Sequence, residues 1–199
     1  FSVLDYLHSL GYTHRDIKPQ NVLVDTETGI VKLCDFGSAK AIQKNEPSVS
    51  YIASRYYRAP ELTMGCQYYD NSIDIWAAGC VVFEMLTAGR LAFPGETPED
   101  QLPAIIRCLG PPTQADLDAI NTDLTIEITS NATSSFRENL PNYTPIDIIE
   151  LLESILVYNP KKRPTALQCM GHKCFDVLFE REIVLPSRQP IPQLVRVPR

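Results

Sequence analysis

The sequence predicts a mainly α-helical fold, in which a helical bundle surrounds one buried central helix and carries a single small β-hairpin. Residues 72–88 are apolar on nearly every helical face, which is typical of a helix buried on all sides. Thr-Pro pairs at residues 97–98 and 144–145 are helix start signals, because threonine caps helices and proline suits their first turn. The short apolar runs at residues 21–24 and 30–34 flank turn residues, as the strands of a hairpin do.

The first elements follow in chain order. Leucines at helical spacing predict a helix over residues 1–10, which Gly11 ends. We expect the hairpin to present Asn21 at one end and Asp35 at the other. Residues 38–58 show no periodicity, so we expect a surface loop there.

The later elements have recognisable boundaries. Ser72 is expected to cap the central helix and Gly89 to close it. Pro103 lies within two turns of a start signal and should kink or restart that helix. Thr165 is expected to open a last helix. From Pro186 onward, four prolines in 13 residues predict an extended or disordered tail.

Composition excludes several classes of function. The chain has 199 residues, of which 44% are hydrophobic, enough for one ordinary domain core. A net charge of -6 argues against a general nucleic-acid binder, and no apolar run reaches the roughly 20 residues that a bilayer requires. Six scattered cysteines predict free thiols in a reducing compartment, hence a cytoplasmic protein, with the nucleus as a second compartment. A zinc site at Cys169, His172 and Cys174 is disfavoured, since structural zinc usually takes four ligands from two clusters.

Three short motifs occur in a fixed order near the start of the chain: His14-Arg15-Asp16 with Asn21 five residues after the aspartate, Asp35-Phe36-Gly37, and Ala59-Pro60-Glu61. Each alone is weak, but the ordered set around a hairpin is a strong signal for phosphoryl transfer. Asn21 and Asp35 offer hard oxygen ligands that suit Mg²⁺. Asp16 is then free to accept the proton of an incoming hydroxyl, and Lys18 places a positive charge on the transferred phosphate.

This set resembles the signature of eukaryotic protein kinases, and residues 1–175 resemble their large C-terminal lobe. The resemblance implies ATP and Mg²⁺ as cofactors, Asp16 and Lys18 as catalytic residues, and Asn21 and Asp35 as metal ligands. It divides the chain into a partial kinase domain at residues 1–178, with an activation segment at residues 35–61, and a proline-rich tail at residues 179–199. No glycine-rich loop or lysine strand precedes His14, so we expect the β-rich N-terminal lobe to be absent and this chain alone to be inactive.

Several structural roles follow from the same resemblance. Asp74 would accept backbone N–H groups of the catalytic loop, which would satisfy an otherwise unpaired carboxylate in the central helix. Glu61 and Arg163 would form a buried ion pair. His14 and Phe36 would belong to a hydrophobic spine.

Residues 34–40 and 49–62 resemble the glycogen synthase kinase (shaggy) family of serine/threonine kinases in particular. That resemblance implies substrates that already carry a phosphate four residues C-terminal to the target. Three sets of residues follow from it: Arg15, Lys40 and Arg55 for the substrate phosphate; Gln20, Leu23 and Cys34 for the nucleotide; Tyr51 as a regulatory phosphorylation site. Leu23 and Cys34 are equally plausible as core residues. Ser48, when phosphorylated, would mimic a primed substrate.

Other interpretations remain open at this point. Scaffold proteins are possible partners, although Pro103 and residues 121–136 depart from the family at its scaffold groove. The main rival is a non-catalytic pseudokinase or docking fragment that binds substrates or partners. A third candidate is a magnesium hydrolase using Asp16 and Asp35, for which the chain supplies no evident nucleophile. None of these interpretations involves a nucleic-acid or membrane partner.

Overall fold

The computed structural model describes residues 1–42, 46–121, 136–180, 183–194 and 196–197. Within them lie eight α-helices and four short strands. The helices are α1 (Ser2–Ser9), α2 (Pro60–Thr63), α3 (Ser72–Leu86), α4 (Gln101–Leu109), α5 (Gln114–Ile120), α6 (Ile146–Ile155), α7 (Ala166–Met170) and α8 (Val177–Glu180). The strands are β1 (Tyr12–Thr13), β2 (Val22–Val24), β3 (Val31–Leu33) and β4 (Lys40–Ala41). The mainly helical prediction is confirmed.

Helix α3 forms the centre of the core, as its all-round apolar pattern predicted. Trp76 is fully buried and stacks on Phe93, with ring centroids 5.2 Å apart. Helix α6 packs so closely that a Cβ at Gly79 would lie 2.5 Å from Ile155, a contact that only glycine permits. The last turn differs from the prediction, because Met85 is 76% exposed.

The predicted helix caps are partly wrong. Ser72 begins α3 but does not cap it: its Oγ is buried without a hydrogen-bond partner in the described structure, and its N–H donates to Asp70 at 2.9 Å. Thr144 likewise precedes α6 with its hydroxyl buried and unpaired. Thr165 is a true cap, since it forms a capping box with Gln168 before α7. Helix α7 is not the last, because α8 follows it.

The chain around α4 and α5 shows one correct prediction and one omission. Helix α4 begins at Gln101, so Pro103 falls in the first turn, where a missing N–H costs nothing. The helix therefore restarts instead of kinking. Helix α5 had no recognised signal, although Thr113 and Asp116 form a capping box before it.

The predicted hairpin is present, with one correction to its geometry. Strands β2 and β3 are antiparallel with Val22 opposite Leu33, so Asn21 and Asp35 lie at the same open end of the hairpin. The backbone N–H of Cys34 donates to the carbonyl of Asn21 at 2.9 Å, which continues this pairing. A second ribbon was missed: β4 lies inside the segment predicted as loop and pairs antiparallel with β1, Thr13 opposite Lys40.

The described part of the tail is extended and folds back on the hairpin. A bridge joins Val184 to Pro190, and the turn between them lies against the β2–β3 turn. There Ser187 Oγ donates to the Glu27 carbonyl at 2.7 Å, and the Leu185 side chain packs against Gly29. The tail therefore touches the element that carries Asn21 and Asp35.

Candidate active site

The catalytic loop is attached to the helical core through Asp74. This carboxylate is 1% exposed and accepts the backbone N–H groups of His14 at 2.8 Å and Arg15 at 2.9 Å. His8 Nε2 lies 2.9 Å from the same carboxylate. Three donors thus satisfy a buried charge that would otherwise be costly. The sequence motif indicated Asp74 but not His8, for which the position of His8 on the core side of α1 was the available signal.

Arg15 has a strained backbone, which the surrounding contacts maintain. Its φ of 69° lies in the left-handed region that a non-glycine residue rarely adopts. The bond to Asp74 fixes its N–H, while Nε donates to the Ser38 carbonyl at 2.6 Å. Strain of this kind persists only where the fold over-determines it, and it concentrates at functional sites.

The carboxylate of Asp16 is held by donors on both oxygens. Oδ1 accepts from the N–H and hydroxyl of Ser54, at 3.1 and 3.0 Å. Oδ2 accepts from Lys18 Nζ at 2.7 Å and from Asn21 Nδ2 at 3.2 Å. Burial alone would raise the pKa of Asp16, but the bonds from Lys18 and Ser54 and the lysine charge outweigh it and lower that pKa. Asp16 is therefore ionised and oriented at neutral pH.

Ser54 is a second functional contact that the sequence did not reveal. It lies 38 residues from Asp16 in sequence, so no local pattern links the two. Its hydroxyl also accepts from Lys18 at 3.1 Å. Arg58 fixes the two residues just before Ser54, since its guanidinium donates to the carbonyls of Ile52 at 2.9 Å and Ala53 at 3.0 Å. Segment 52–58 is thus connected to the catalytic loop.

Asn21 and Asp35 are the residues that the sequence predicts as oxygen ligands of Mg²⁺. Asn21 is 5% exposed and donates its amide Nδ2 to the Asp16 carbonyl at 2.7 Å, which leaves its Oδ1 available as an acceptor. Asp35 is exposed and left-handed at φ 60°, and in the described part of the chain its Oδ1 accepts the Gly37 N–H at 3.3 Å. An amide oxygen and a solvent-exposed carboxylate beside the open end of one hairpin fit a hard cation that takes few protein ligands.

The rings of His14 and Phe36 join the two motifs. Their centroids lie 5.0 Å apart in an edge-to-face contact. His14 is fully buried, and its Nε2 lies 3.1 Å from the Cys34 carbonyl. The ring contact therefore ties the loop of Asp16 to the segment of Asp35.

The proposed nucleotide residues lie on the hairpin and the turn before it. Gln20 is exposed, Leu23 is 54% exposed, and Cys34 is half-buried. Leu23 is therefore not a core residue of the described structure. Val24 and Val31, which pair with each other on the opposite face of the hairpin, are 57% and 60% exposed, so both faces present apolar side chains to solvent.

Arg15 and Lys40 are joined through a chain of contacts, whereas Arg55 stands apart. Arg15 Nη1 donates to the Tyr69 hydroxyl at 3.2 Å, and that hydroxyl donates to the Val49 carbonyl at 2.8 Å. The neighbouring Ser48 accepts from Lys40 Nζ at 2.9 Å. Across the described residues, no hydrogen bond or ion pair connects Arg55 to Arg15 or Lys40; its guanidinium contacts Tyr56 instead. Its Nε is buried without a partner there.

Tyr51 is accessible, as a modification site requires. It is 71% exposed, and its ring lies over the Arg58 guanidinium, 4.5 Å from ring centroid to Cζ. By contrast Ser48 is only 7% exposed and its N–H donates to the Gln67 carbonyl at 2.8 Å. Ser48 thus lies against the predicted phosphate site, and its phosphorylation stays a prediction.

The end of the activation segment is attached to the core by Glu61 and Arg163. Arg163 donates to both carboxylate oxygens of Glu61, at 2.6 and 2.7 Å, and both side chains are almost fully buried. The guanidinium also lies 5.0 Å from the centroid of the Trp76 ring. The predicted ion pair is therefore present, and it links α2 to the centre of the fold.

The described part of the chain contains no group of three or more His, Cys, Asp or Glu side chains arranged to hold a metal ion. Burial raises the pKa of Cys169 to about 12 and that of Cys174 to about 11, so both remain thiols at neutral pH. Among the helices of the described residues, none is both long and apolar enough to cross a bilayer.

Comparison with known families identifies the class of protein. The family model of the protein kinase domain matches residues 1–175. The chain therefore belongs to the protein kinase domain family, and phosphoryl transfer to proteins is the activity of that family. The match extends from α1 to the end of the 3₁₀ turn at residues 173–175, and so includes all the motifs described above.

Proposed function

We propose that this chain is the large C-terminal lobe of a serine/threonine protein kinase of the glycogen synthase kinase family. In this proposal the kinase domain spans residues 1–178, with the activation segment at residues 35–61 and a tail at residues 179–199. The observation that carries the proposal is the state of Asp16: a carboxylate held by Ser54 on one oxygen and by Lys18 and Asn21 on the other. A cytoplasmic location, with the nucleus as a second compartment, remains part of the proposal.

Asp16 acts as the base of the reaction. A substrate serine or threonine hydroxyl donates to this carboxylate, which orients the oxygen for attack and takes its proton. The lowered pKa of Asp16 keeps it ionised before the reaction. Lys18, at 2.7 Å from Asp16, is placed to stabilise negative charge on the transferred phosphoryl group. Ser54 keeps the base fixed while the substrate binds.

Asn21 and Asp35 would hold Mg²⁺, which supplies charge neutralisation for the phosphates of ATP when bound. Asn21 suits this role because its amide nitrogen donates to the Asp16 carbonyl, which leaves its oxygen available as an acceptor. Gln20, Leu23 and Cys34 would contact the nucleotide. The exposed apolar surface at Leu23 is consistent with that role, since a nucleotide base is bound largely by apolar contacts.

Substrates with a phosphate four residues C-terminal to the target would bind at Arg15, Lys40 and Arg55. The connection of Arg15 to Lys40 through Tyr69 and Ser48 supports a shared site for these two cations. For Arg55 the proposal rests on the family resemblance alone, because its guanidinium contacts Tyr56. Each charge-assisted hydrogen bond is worth about 1.5–3 kcal/mol net, so a few of them are enough to select primed substrates.

The test is phosphorylation of matched peptides by the natural full-length protein that carries this sequence. One peptide has Ser at the target and phosphoserine four residues later; its control has Ser at both positions. We expect faster ATP- and Mg²⁺-dependent transfer to the primed peptide, and no transfer by the Asp16→Asn variant. The 199 residues alone are expected to show no turnover, since they contain no glycine-rich loop or lysine strand.

The same experiment decides between the rival interpretations. A pseudokinase or docking module would bind the primed peptide without transferring phosphate in any form of the protein. Equal rates on both peptides would support kinase activity but contradict the assignment to the glycogen synthase kinase family. A magnesium hydrolase would release phosphate without any nucleotide.

A further inference from the structure

The acidic residue Glu46 lies against the predicted phosphate site. Lys40 Nζ is 3.6 Å from Glu46 Oε1 and 2.9 Å from Ser48 Oγ. A lysine ammonium has three N–H donors, so these two neighbours occupy one donor fully and attract a second. The cation that would receive a substrate phosphate therefore already faces a carboxylate from its own chain.

The two contacts of Lys40 differ in strength. The bond to Ser48 has ordinary hydrogen-bond length and its acceptor is 7% exposed, so it fixes the position of the ammonium. The pair with Glu46 is longer than a hydrogen bond, and its side chains are 33% and 48% exposed. Exposed pairs of this kind contribute about 0–1 kcal/mol. Glu46 is thus held weakly enough for a stronger anion to displace it.

A phosphate is such an anion. It carries nearly two negative charges and three acceptor oxygens, against one charge and two oxygens for a carboxylate. Space is available for the displaced side chain, because Glu46 lines a cavity of about 650 Å³ whose other lining residues include Lys161 as well as the acidic Glu61 and Asp70. Displacement therefore exchanges a weak pair for charge-assisted bonds to a better ligand.

We propose that Glu46 is a built-in competitor for the substrate phosphate, which occupies Lys40 until a phosphorylated peptide displaces it. This inference rests on the proposed function, because it requires that Lys40 bind a phosphate. Its effect is to weaken the binding of every anion at this site by the free energy of the Lys40–Glu46 pair. Unphosphorylated peptides do not contact Lys40, so Glu46 does not change their binding.

The test is a thermodynamic cycle on peptide binding, which needs no turnover. The probes are fluorescein-labelled peptides with phosphoserine or with serine four residues after the target, and the readout is Kd by fluorescence anisotropy. Glu46→Gln should tighten binding of the phosphoserine peptide about two- to five-fold, as expected for an exposed pair. The serine peptide should bind unchanged. In a Lys40→Ala background, Glu46→Gln should change neither Kd, because the partner of the carboxylate is gone.

Control variants separate the possible failures. Glu99→Gln removes an exposed charge elsewhere and should leave both peptides unaffected. If Glu46→Gln tightens the phosphoserine peptide equally with and without Lys40, the effect is general charge, and the inference is overturned. If Glu46→Gln has no effect while Lys40→Ala weakens the phosphoserine peptide, the inference fails and the proposed function stands. If neither Lys40→Ala nor Arg15→Ala weakens it, both fail.

Discussion

Two aspartates, Asp74 in the central helix and Asp25 in the hairpin turn, accept the same number of hydrogen bonds in opposite surroundings. Asp74 is buried and receives His14, Arg15 and His8. Asp25 is exposed and receives the N–H of Glu27 and both the N–H and hydroxyl of Thr28, at 2.9, 3.3 and 2.7 Å. The first fixes the catalytic loop to the core, and the second only shapes a surface turn.

The difference shows that burial, not the number of contacts, decides how firmly each half of the candidate site is held. N–H donors that face a buried carboxylate cannot bond to water instead, whereas the donors at the exposed hairpin turn can. The loop of Asp16 is therefore fixed by the core. The hairpin that leads to Asp35 has three residues in each strand and an apolar surface in solvent, which is marginal on its own.

We expect the largest change in the free energy of unfolding from loss of the buried Glu61–Arg163 ion pair. Arg163→Met should lower the free energy of unfolding by about 3–5 kcal/mol, because it leaves Glu61 charged and unpaired in the core. The matched control is Arg137→Met. Arg137 also makes a two-pronged pair, with Glu153, but its side chain is 52% exposed, so the loss should stay below about 1 kcal/mol.

Urea unfolding followed by circular dichroism measures both changes. Adding Glu61→Gln to Arg163→Met should restore part of the stability, since no buried charge then lacks a partner. Equal losses for the buried and exposed arginines would contradict the argument from burial.

The next effect compares the two aspartates directly. Asp74→Asn should cost about 3 kcal/mol, because one acceptor oxygen is replaced by an amide that faces N–H donors. Asp25→Asn should cost less than about 0.5 kcal/mol, as for most surface substitutions. Hydrogen exchange provides a second readout: the amides of His14 and Arg15 should lose protection in the first variant and keep it in the second. Loss of protection in both would break the comparison.

A smaller effect tests whether the tail supports the weaker half. Leu185→Ala removes the side chain that packs on Gly29 and should destabilise the hairpin locally by about 1 kcal/mol. Val184→Ala is the matched control, because Val184 is 63% exposed. Exchange of the Asp25 amide, which donates to Ile30 at 2.9 Å, reports on the hairpin. We expect faster exchange for Leu185→Ala alone; the same rate in both variants would mean that the tail does not support the turn.

The smallest effect concerns pH. The pKa of Asp16 is lower in the folded chain than its ordinary value of 3.8. The stability that Asp16 contributes is therefore present above that value and is lost as the pH falls through the lower folded pKa. The difference in unfolding free energy between wild type and Asp16→Asn should stay constant above about pH 5 and narrow as the pH falls from there through the folded pKa, which lies below 3.8. If that difference in unfolding free energy instead widened on acidification, the pKa of Asp16 would be raised in the folded chain and not lowered.

Several features that depend on local contacts were predicted correctly from the sequence. The hairpin, the restart of α4 near Pro103 and the Thr165 cap each depend on residues within a few positions of one another, and all three are present. The predicted caps at Ser72 and Thr144 were wrong: both residues are buried, and their hydroxyls have no hydrogen-bond partner in the described structure. Helix α5 was missed because its capping box precedes a short, weakly apolar run.

The site shows the same division. The identities of Asp16, Lys18, Asn21 and Asp35 came from motif spacing. Their geometry did not: Ser54 reaches Asp16 from 38 residues away, and His8 reaches Asp74 from 66 residues away. The contact of Glu46 with Lys40 carried no sequence signal either, since one exposed glutamate in a loop resembles any other.

The sequence by itself determined that the chain is mainly helical and which side chains carry its chemistry, because helix periodicity and motif spacing are written within short stretches. Only the tertiary structure decided which of these side chains are firmly held. A hydrogen bond gains its strength from the exclusion of water, and water is excluded by residues that are distant in sequence and meet only when the core forms.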